Sequence, residues 1–213
     1  GLATLGPFAI DTYMPSFPAI SRSFDATPVQ VQQTLTAYLL PFSFMMLFHG
    51  ALTDSFGRRP VILVGLVVFA CASIGCALAQ SLPQLLMFRA LQGMSSGSGM
   101  VAGRAMIRDI YPGHQAQRVM SMVTMIFGLA PAVAPILGGW LEVWFGWRSI
   151  FVFLALFAAL MYVTCHLRLK ESLPPVHRQP FAVRPLLRNY FQLLCSLRFA
   201  LLSSAIAFNF AGF

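Results

Sequence analysis

The chain has 213 residues and a formal net charge of +8, with 58% apolar residues, only 9% charged residues and a mean hydropathy of +0.75. A soluble domain carries about 25% charged residues, so this composition excludes a water-wetted globular fold. The positive balance does not point to a nucleic-acid partner either, because the basic residues sit in short gaps between long apolar runs.

Crossing the hydrocarbon takes about 20 helical residues, and that ruler predicts spans near 1–20, 34–53, 61–79, 84–107, 118–141 and 149–167, with a seventh starting near 199. Runs of this length satisfy their backbone in lipid only as helices, so an all-α membrane protein is expected. Residues 1–20 are not a signal peptide, since they lack a basic leader and carry Asp11, Pro15 and Pro18. Gly1 opens directly in apolar sequence and Phe213 lies inside another apolar run, so the chain is expected to be a fragment. Cys71, Cys76, Cys165 and Cys195 form no CxxC pair and read as small apolar fillers.

Arginine placement sets orientation. Arg58, Arg59, Arg104, Arg108 and Arg118 fall at one set of span ends, joined by Arg168, Lys170, Arg178, Arg184 and Arg188 after span 6. The opposite set holds only Arg22 and Arg148, offset by Asp25 and Glu142. The basic set is therefore expected to be cytoplasmic, with span 1 running outward. Residues 168–198, rich in proline, read as a cytoplasmic linker without chemistry of its own, with a weakly amphipathic stretch at Leu186–Leu194.

An internal repeat is visible. Residues 50–62 align with residues 139–151, with Gly50/Gly139, Leu52/Leu141, Phe56/Phe145, Gly57/Gly146 and Arg59/Arg148 coinciding. The copies join spans 2 and 3 and spans 5 and 6, and a repeat of three spans must be inverted in the membrane. Inverted three-span repeats are the construction of secondary transporters. The alternative is chance similarity between two glycine turns.

Four motifs carry candidate chemistry. In the loop from Gly50 to Arg59, the glycines Gly50 and Gly57 permit a tight turn and close helix approach. Asp54 there can cap the next helix or bind Arg58 within a network reaching Asp109 at the end of span 4. The plainer alternative is that Arg58 and Arg59 only fix orientation.

Arg89, in Arg-Ala-Leu-Gln-Gly of span 4, is a charge inside a helix, which costs roughly 2.5–3.5 kcal/mol on insertion scales and is rarely idle. Gly93/Gly97 and Gly99/Gly103 follow as close-approach pairs. The competing reading is a snorkelling arginine, since Arg89 lies only about 9 Å below Pro83.

Asp11 in span 1 lies about 15 Å deep counted from Ser21, near the midplane, and burial there favours the neutral acid. It is the candidate proton carrier or partner of a cationic substrate. The alternative is a permanent ion pair with Arg89, about 6 Å higher by the same count.

In span 5, Gly128, Pro131, Pro135, Gly138 and Gly139 recur at three to four residues and predict one slim, kinked face. Any tightly packed helix could use such a face. Tyr13, Gln33, Tyr38, Gln92 and Phe127 are candidate substrate contacts, amphipathic groups suited to apolar cations and neutral molecules. His49, His114, His166 and His177 show no metal-ligand spacing and read as interfacial or loop residues.

These motifs together resemble the N-terminal half of a major facilitator superfamily protein of the Bcr/CflA drug-resistance branch. The likeness covers essentially the whole chain, including Leu173-Pro174-Pro175. It implies a six-helix bundle over 1–167, an inter-bundle linker over 168–198 and the start of helix 7 over 199–213. It further implies that residues 50–59 with Asp109 form a gate latch, that Arg89 is tied to proton coupling, and that the span 5 motif seals and bends its helix. The family usually has arginine at the position of Ser55 and often glutamine at that of Met46, which weakens the latch and makes the pocket greasier.

The activity expected is proton-driven export of drugs or other small molecules across a bacterial inner membrane. The partners expected are substrate, protons and lipid, with no cofactor or metal and a monomeric full-length protein. A proton-coupled importer of a specific metabolite or sugar shares the fold. A membrane enzyme is disfavoured, since HExxH, paired catalytic carboxylates and a phosphate loop are missing from the sequence. The fragment is expected to be inactive without its second bundle.

Overall fold

The structure, a computed structural model, describes residues 2–211, and for 194, 198, 206 and 208–211 the backbone only. Gly1, Gly212 and Phe213, the outermost residues of the expected spans 1 and 7, lie outside the described residues. Chain contacts divide the protein into two units, Gly1–Arg178 and Gln179–Phe213.

In the first unit, span 1 is not one helix. A 3-10 turn at Leu2–Thr4 leads into α1 (Leu5–Asp11), a second 3-10 turn covers Met14–Ser16, and α2 follows at Phe17–Phe24. The break has a local cause: Pro15 and Pro18 lack amide donors, and the Thr12 hydroxyl donates back to the Phe8 carbonyl. Asp11 ends α1 at this break.

After Asp25, in the left-handed conformation at φ 48°, a capping box between Thr27 and Gln30 starts α3 (Pro28–Phe56). That start lies six residues before the expected position 34, because the helix extends past the apolar stretch that the ruler detects. Next come α4 (Arg58–Leu78), α5 (Leu82–Ile110), α6 (Gly113–Phe145) and α7 (Arg148–Arg168). Gly57 and Gly146 break the chain before α4 and α7 at φ 100° and 78°, a region closed to ordinary side chains.

Among the described residues α3, α4, α6 and α7 are each long and apolar enough to cross a membrane. The 29-residue α5 is long enough but polar, and it lies at the centre of the packing, where Arg89, Gln92 and the Ser95–Gly99 stretch are buried. It packs against both α3 and α4, α4 also packs on α7, and α1 packs on α6. The core is Ile62, Leu66 and Phe69 of α4, Leu85 of α5, and Ile150, Phe151 and Leu154 of α7. The outward faces are apolar too, with Leu40, Val64, Met125, Trp144 and Leu156 exposed, as expected for helices immersed in hydrocarbon.

α4 and α7 run antiparallel and are tied at both ends. Arg59 Nη2 donates to the His166 carbonyl in the last turn of α7 at 2.9 Å, and Arg148 Nη2 donates to the Ala79 carbonyl just past α4 at 2.9 Å.

Residues 169–178 complete the first unit. They run along the end that carries Arg58 and Arg59, here called the basic end. The second unit holds α8 (Val183–Leu194), which coincides with the amphipathic stretch seen in the sequence, and α9 (Leu197–Ala211), where the seventh span was expected.

Candidate functional site

Three groups of side chains carry the candidate chemistry. The first surrounds Arg89, which is fully buried. Its Nη1 donates to the Ala9 carbonyl at 3.1 Å and to Gln92 Oε1 at 2.7 Å. Its Cζ lies 4.5 Å from the ring centres of both Tyr13 and Tyr38, and 6.0 Å from that of Phe151. A guanidinium between aromatic faces keeps its charge out of water at reduced cost.

The cage is itself held. Tyr13 Oη and Thr34 Oγ1 share a hydrogen bond of 2.7 Å, Tyr38 Oη donates to Ser96 Oγ at 2.9 Å, and Gln92 Nε2 donates to Ser73 Oγ at 2.7 Å. Arg89 therefore does not snorkel to an interface, and no ion pair joins it to Asp11. The aromatic cage takes the place that Asp11 would fill in the alternative, ion-paired reading.

The second group lines a cavity of about 300 Å³ beside the break in span 1. Asp11 faces it, half-buried, with Phe42, Ser96, Met100, Phe127 and Pro131. Of the candidate substrate contacts, only Phe127 lies here. Tyr13, Tyr38 and Gln92 belong to the Arg89 cage, and Gln33 is exposed in the early turns of α3. Phe42 had no signal beyond being one aromatic among many; its place one turn after Tyr38, with the rings stacked at 6.1 Å, sets it at the cavity.

The span 5 motif divides between two faces instead of forming one. Gly138 is buried with Ala130 and Ala134, and an added Cβ at Gly138 would run into the backbone carbonyl of Thr12. Pro131 and Pro135 sit on exposed positions, Pro131 towards the cavity. Gly128 and Gly139 have open space around them. On α5, Gly93 lies against the Tyr38 carbonyl and Gly97 against Met46 and His49, while Gly103 meets nothing. His49 is thus a buried helix-contact residue, not an interfacial one, and Met46 lines that same contact.

The third group closes the basic end. Arg58 Nη1 pairs with Asp54 Oδ1 and donates to Thr53 Oγ1 at 2.8 Å, while its Nε reaches Asp109 Oδ2 at 3.2 Å. Asp54 lies in the last turn of α3 and does not cap α4. That cap comes from Glu171, 113 residues further on: Oε1 accepts from the Arg58 amide at 3.0 Å and Oε2 from the Arg59 amide at 3.2 Å.

Ser172 Oγ donates to Asp109 Oδ2 at 3.0 Å. An added Cβ at Gly57 would lie 2.6 Å from Glu171 Oε2, so this glycine is required both by its φ and by the approaching carboxylate. An added Cβ at Gly50 would meet nothing within 4 Å, so this glycine serves no close approach. The segment after α7, expected to be a bare tether, therefore contributes directly to this cluster. Its one visible signal was Glu171, the sole carboxylate among the basic residues of 168–198.

No group of histidine, cysteine and carboxylate side chains suited to a metal occurs among the described residues.

Inverted three-span repeats enclosing ionisable groups define a class, that of secondary transporter halves. The Major Facilitator Superfamily profile matches residues 2–213, and the chain belongs to that superfamily. It is 34% identical over 99% of its length to a bicyclomycin resistance protein homologue of Haemophilus influenzae, covering 53% of that protein. Multidrug resistance protein D of Escherichia coli is 35% identical over 74% of the chain, which covers 40% of it. A chloramphenicol resistance protein of Pseudomonas aeruginosa is 38% identical over 73% of the chain, which covers 36% of it. The chain thus spans about half, or less, of these relatives. Among solved structures, the human organic anion transporter MFSD10 (TETRAN) shares the fold with a TM-score of 0.67 at 22% identity, over 84% of this chain and 48% of that one.

Proposed function

We propose that the chain is the N-terminal half of a proton-coupled exporter of small, largely apolar molecules in a bacterial inner membrane. The observation that carries this reading is Asp11, a half-buried carboxylate in an apolar cavity, held apart from the caged cation Arg89. A carboxylate without a permanent partner is free to exchange a proton or to meet a cationic substrate, which is what coupling requires. The names of the relatives, resistance proteins towards bicyclomycin, chloramphenicol and multiple drugs, support hydrophobic antibiotics as the substrate class.

In this reading the basic end is cytoplasmic and the cluster of Asp54, Arg58, Asp109 and Glu171 is its gate latch. The broken span 1 and the α6 small-residue face that packs on it border the substrate path. No cofactor takes part beyond the proton gradient, no chemical step is catalysed, and the full-length protein works as a monomer.

The test is substrate-induced proton release from energised inverted vesicles containing the full-length parent, scanned over a drug panel. Release that disappears in Asp11→Asn at unchanged membrane abundance is expected. Absence of release with every compound would overturn the export reading in favour of a narrow metabolite carrier or an importer.

A further inference from the structure

The turn before α7 reproduces, at the opposite end of the bundle, the geometry of the turn before α4. Both begin with a glycine of positive φ and extended ψ, Gly57 at 100°/156° and Gly146 at 78°/166°. In both, the next residue is buried, Arg58 and Trp147. In both, the third is an arginine donating to a carbonyl at the end of the antiparallel helix, Arg59 to His166 and Arg148 to Ala79.

The buried residue also makes the equivalent long-range contact. Arg58 reaches Asp109 in the last turn of α5, which ends span 4, and Trp147 Nε1 donates to Ser23 Oγ in the last turn of α2, which ends span 1, at 3.0 Å. Spans 1 and 4 are counterparts in the inverted repeat, so the two turns bind the same element of the opposite copy.

The outer turn is reinforced by aromatic packing. Arg148 Cζ sits 4.3 Å from the Trp147 ring centre, and Trp147 packs edge-on against Phe24 at 5.5 Å and Phe151 at 6.1 Å. Phe151 continues to Tyr13 at 5.4 Å, whose ring faces Arg89.

From this equivalence we propose that Gly146, Trp147 and Arg148 form a second latch, at the end opposite the Arg58 cluster, which ties the last turn of α2 to the start of α7 and the end of α4. The inner latch closes on ion pairs. The outer one closes on neutral and cation–carbonyl hydrogen bonds with an aromatic stack. Its release frees α2, and through Phe151 and Tyr13 loosens one wall of the Arg89 cage. The proposal rests on the transporter reading for its purpose but not for its test.

Ser16, in the turn that opens α2, is fully buried and its Oγ has no hydrogen-bond partner, so Ser16→Cys removes no bond. The experiment uses the full-length parent with Ser16→Cys and Cys165 as its only thiols, purified and labelled with an impermeant maleimide without substrate. Trp147→Phe keeps an aromatic ring but deletes the N–H donor together with part of the buried indole; it is expected to speed labelling at position 16 at least about fivefold, the size of one hydrogen bond. Arg148→Gln is expected to do the same and Arg148→Lys to reverse most of the effect. Gly139→Ala, which enters open space on α6, is expected to leave position 16 unchanged.

Unchanged labelling in both Trp147→Phe and Arg148→Gln would overturn the latch. So would labelling of Cys165, buried at the far end of α7, in step with position 16, since that reports general unfolding. Neither outcome depends on whether the protein exports drugs.

Discussion

Arg89 donates to the carbonyl of Ala9, two residues before Asp11, yet the two ionisable side chains face different surroundings: the guanidinium a cage of Tyr13 and Tyr38, the carboxylate a cavity lined by Phe42 and Phe127. Asp11 and Tyr13 lie two residues apart, a spacing that on a helical turn directs side chains to different faces: Tyr13 meets Arg89 of α5 and Asp11 meets the cavity.

The separation predicts an uncoupling of stability from transport. Removing one partner of a buried ion pair costs about 3–5 kcal/mol. Asp11→Asn breaks no such pair, so the melting temperature of the purified parent should stay near that of the unsubstituted protein while proton-coupled transport is lost. Thermal unfolding followed alongside the vesicle assay checks this, and a large drop in melting temperature would show a structural bond at Asp11.

The Arg89 cage makes the opposite prediction for Gln92. Gln92→Leu deletes the acceptor of Arg89 Nη1 and the donor to Ser73 together, leaving the guanidinium with only the Ala9 carbonyl. A loss of about 1–3 kcal/mol in unfolding free energy is expected. Chemical unfolding of the purified parent in detergent measures it.

Adjacent glycines in α6 should behave differently. Gly138→Ala drives a methyl group into the Thr12 backbone, whereas Gly139→Ala enters open space. The first should cost about 1–3 kcal/mol, as overpacking does, and lower membrane abundance. The second should be silent in both. Quantitative immunoblotting of membranes separates them, and equal behaviour would argue against the α6–span 1 contact.

At the basic end, Glu171→Gln keeps the size of the side chain and removes the charge that two α4 amides share. A loss near that of a helix cap, about 0.5–2 kcal/mol, is expected. Because Arg58 is common to both sets of contacts, Glu171→Gln and Asp109→Asn should be non-additive in a double-substitution cycle, by about 0.5 kcal/mol or more. Strict additivity would separate Glu171 from the cluster.

Amino-acid order alone determined the membrane-spanning helical class, the approximate place of each span, and the turns at Gly57 and Gly146. Each of these rests on local information: apolar runs of bilayer length, charge in the gaps, and glycine where a turn needs positive φ. The sequence marked Arg89 and Asp11 as costly to bury, and so as residues with work to do, but not what each would meet.

Those choices were left to the tertiary structure. Whether Arg89 would take an aspartate, an interface or two tyrosines depends on which faces of α1, α3 and α5 converge, and its contact with Ala9 spans 80 residues. Glu171 reaches α4 across 113 residues, a separation at which no helical period carries a signal. The repeat hinted at the pairing of Arg59 with Arg148. Only antiparallel packing of α4 on α7 brought each guanidinium to the other helix's last carbonyls, because the groups it satisfies are the ones a helix end cannot satisfy itself.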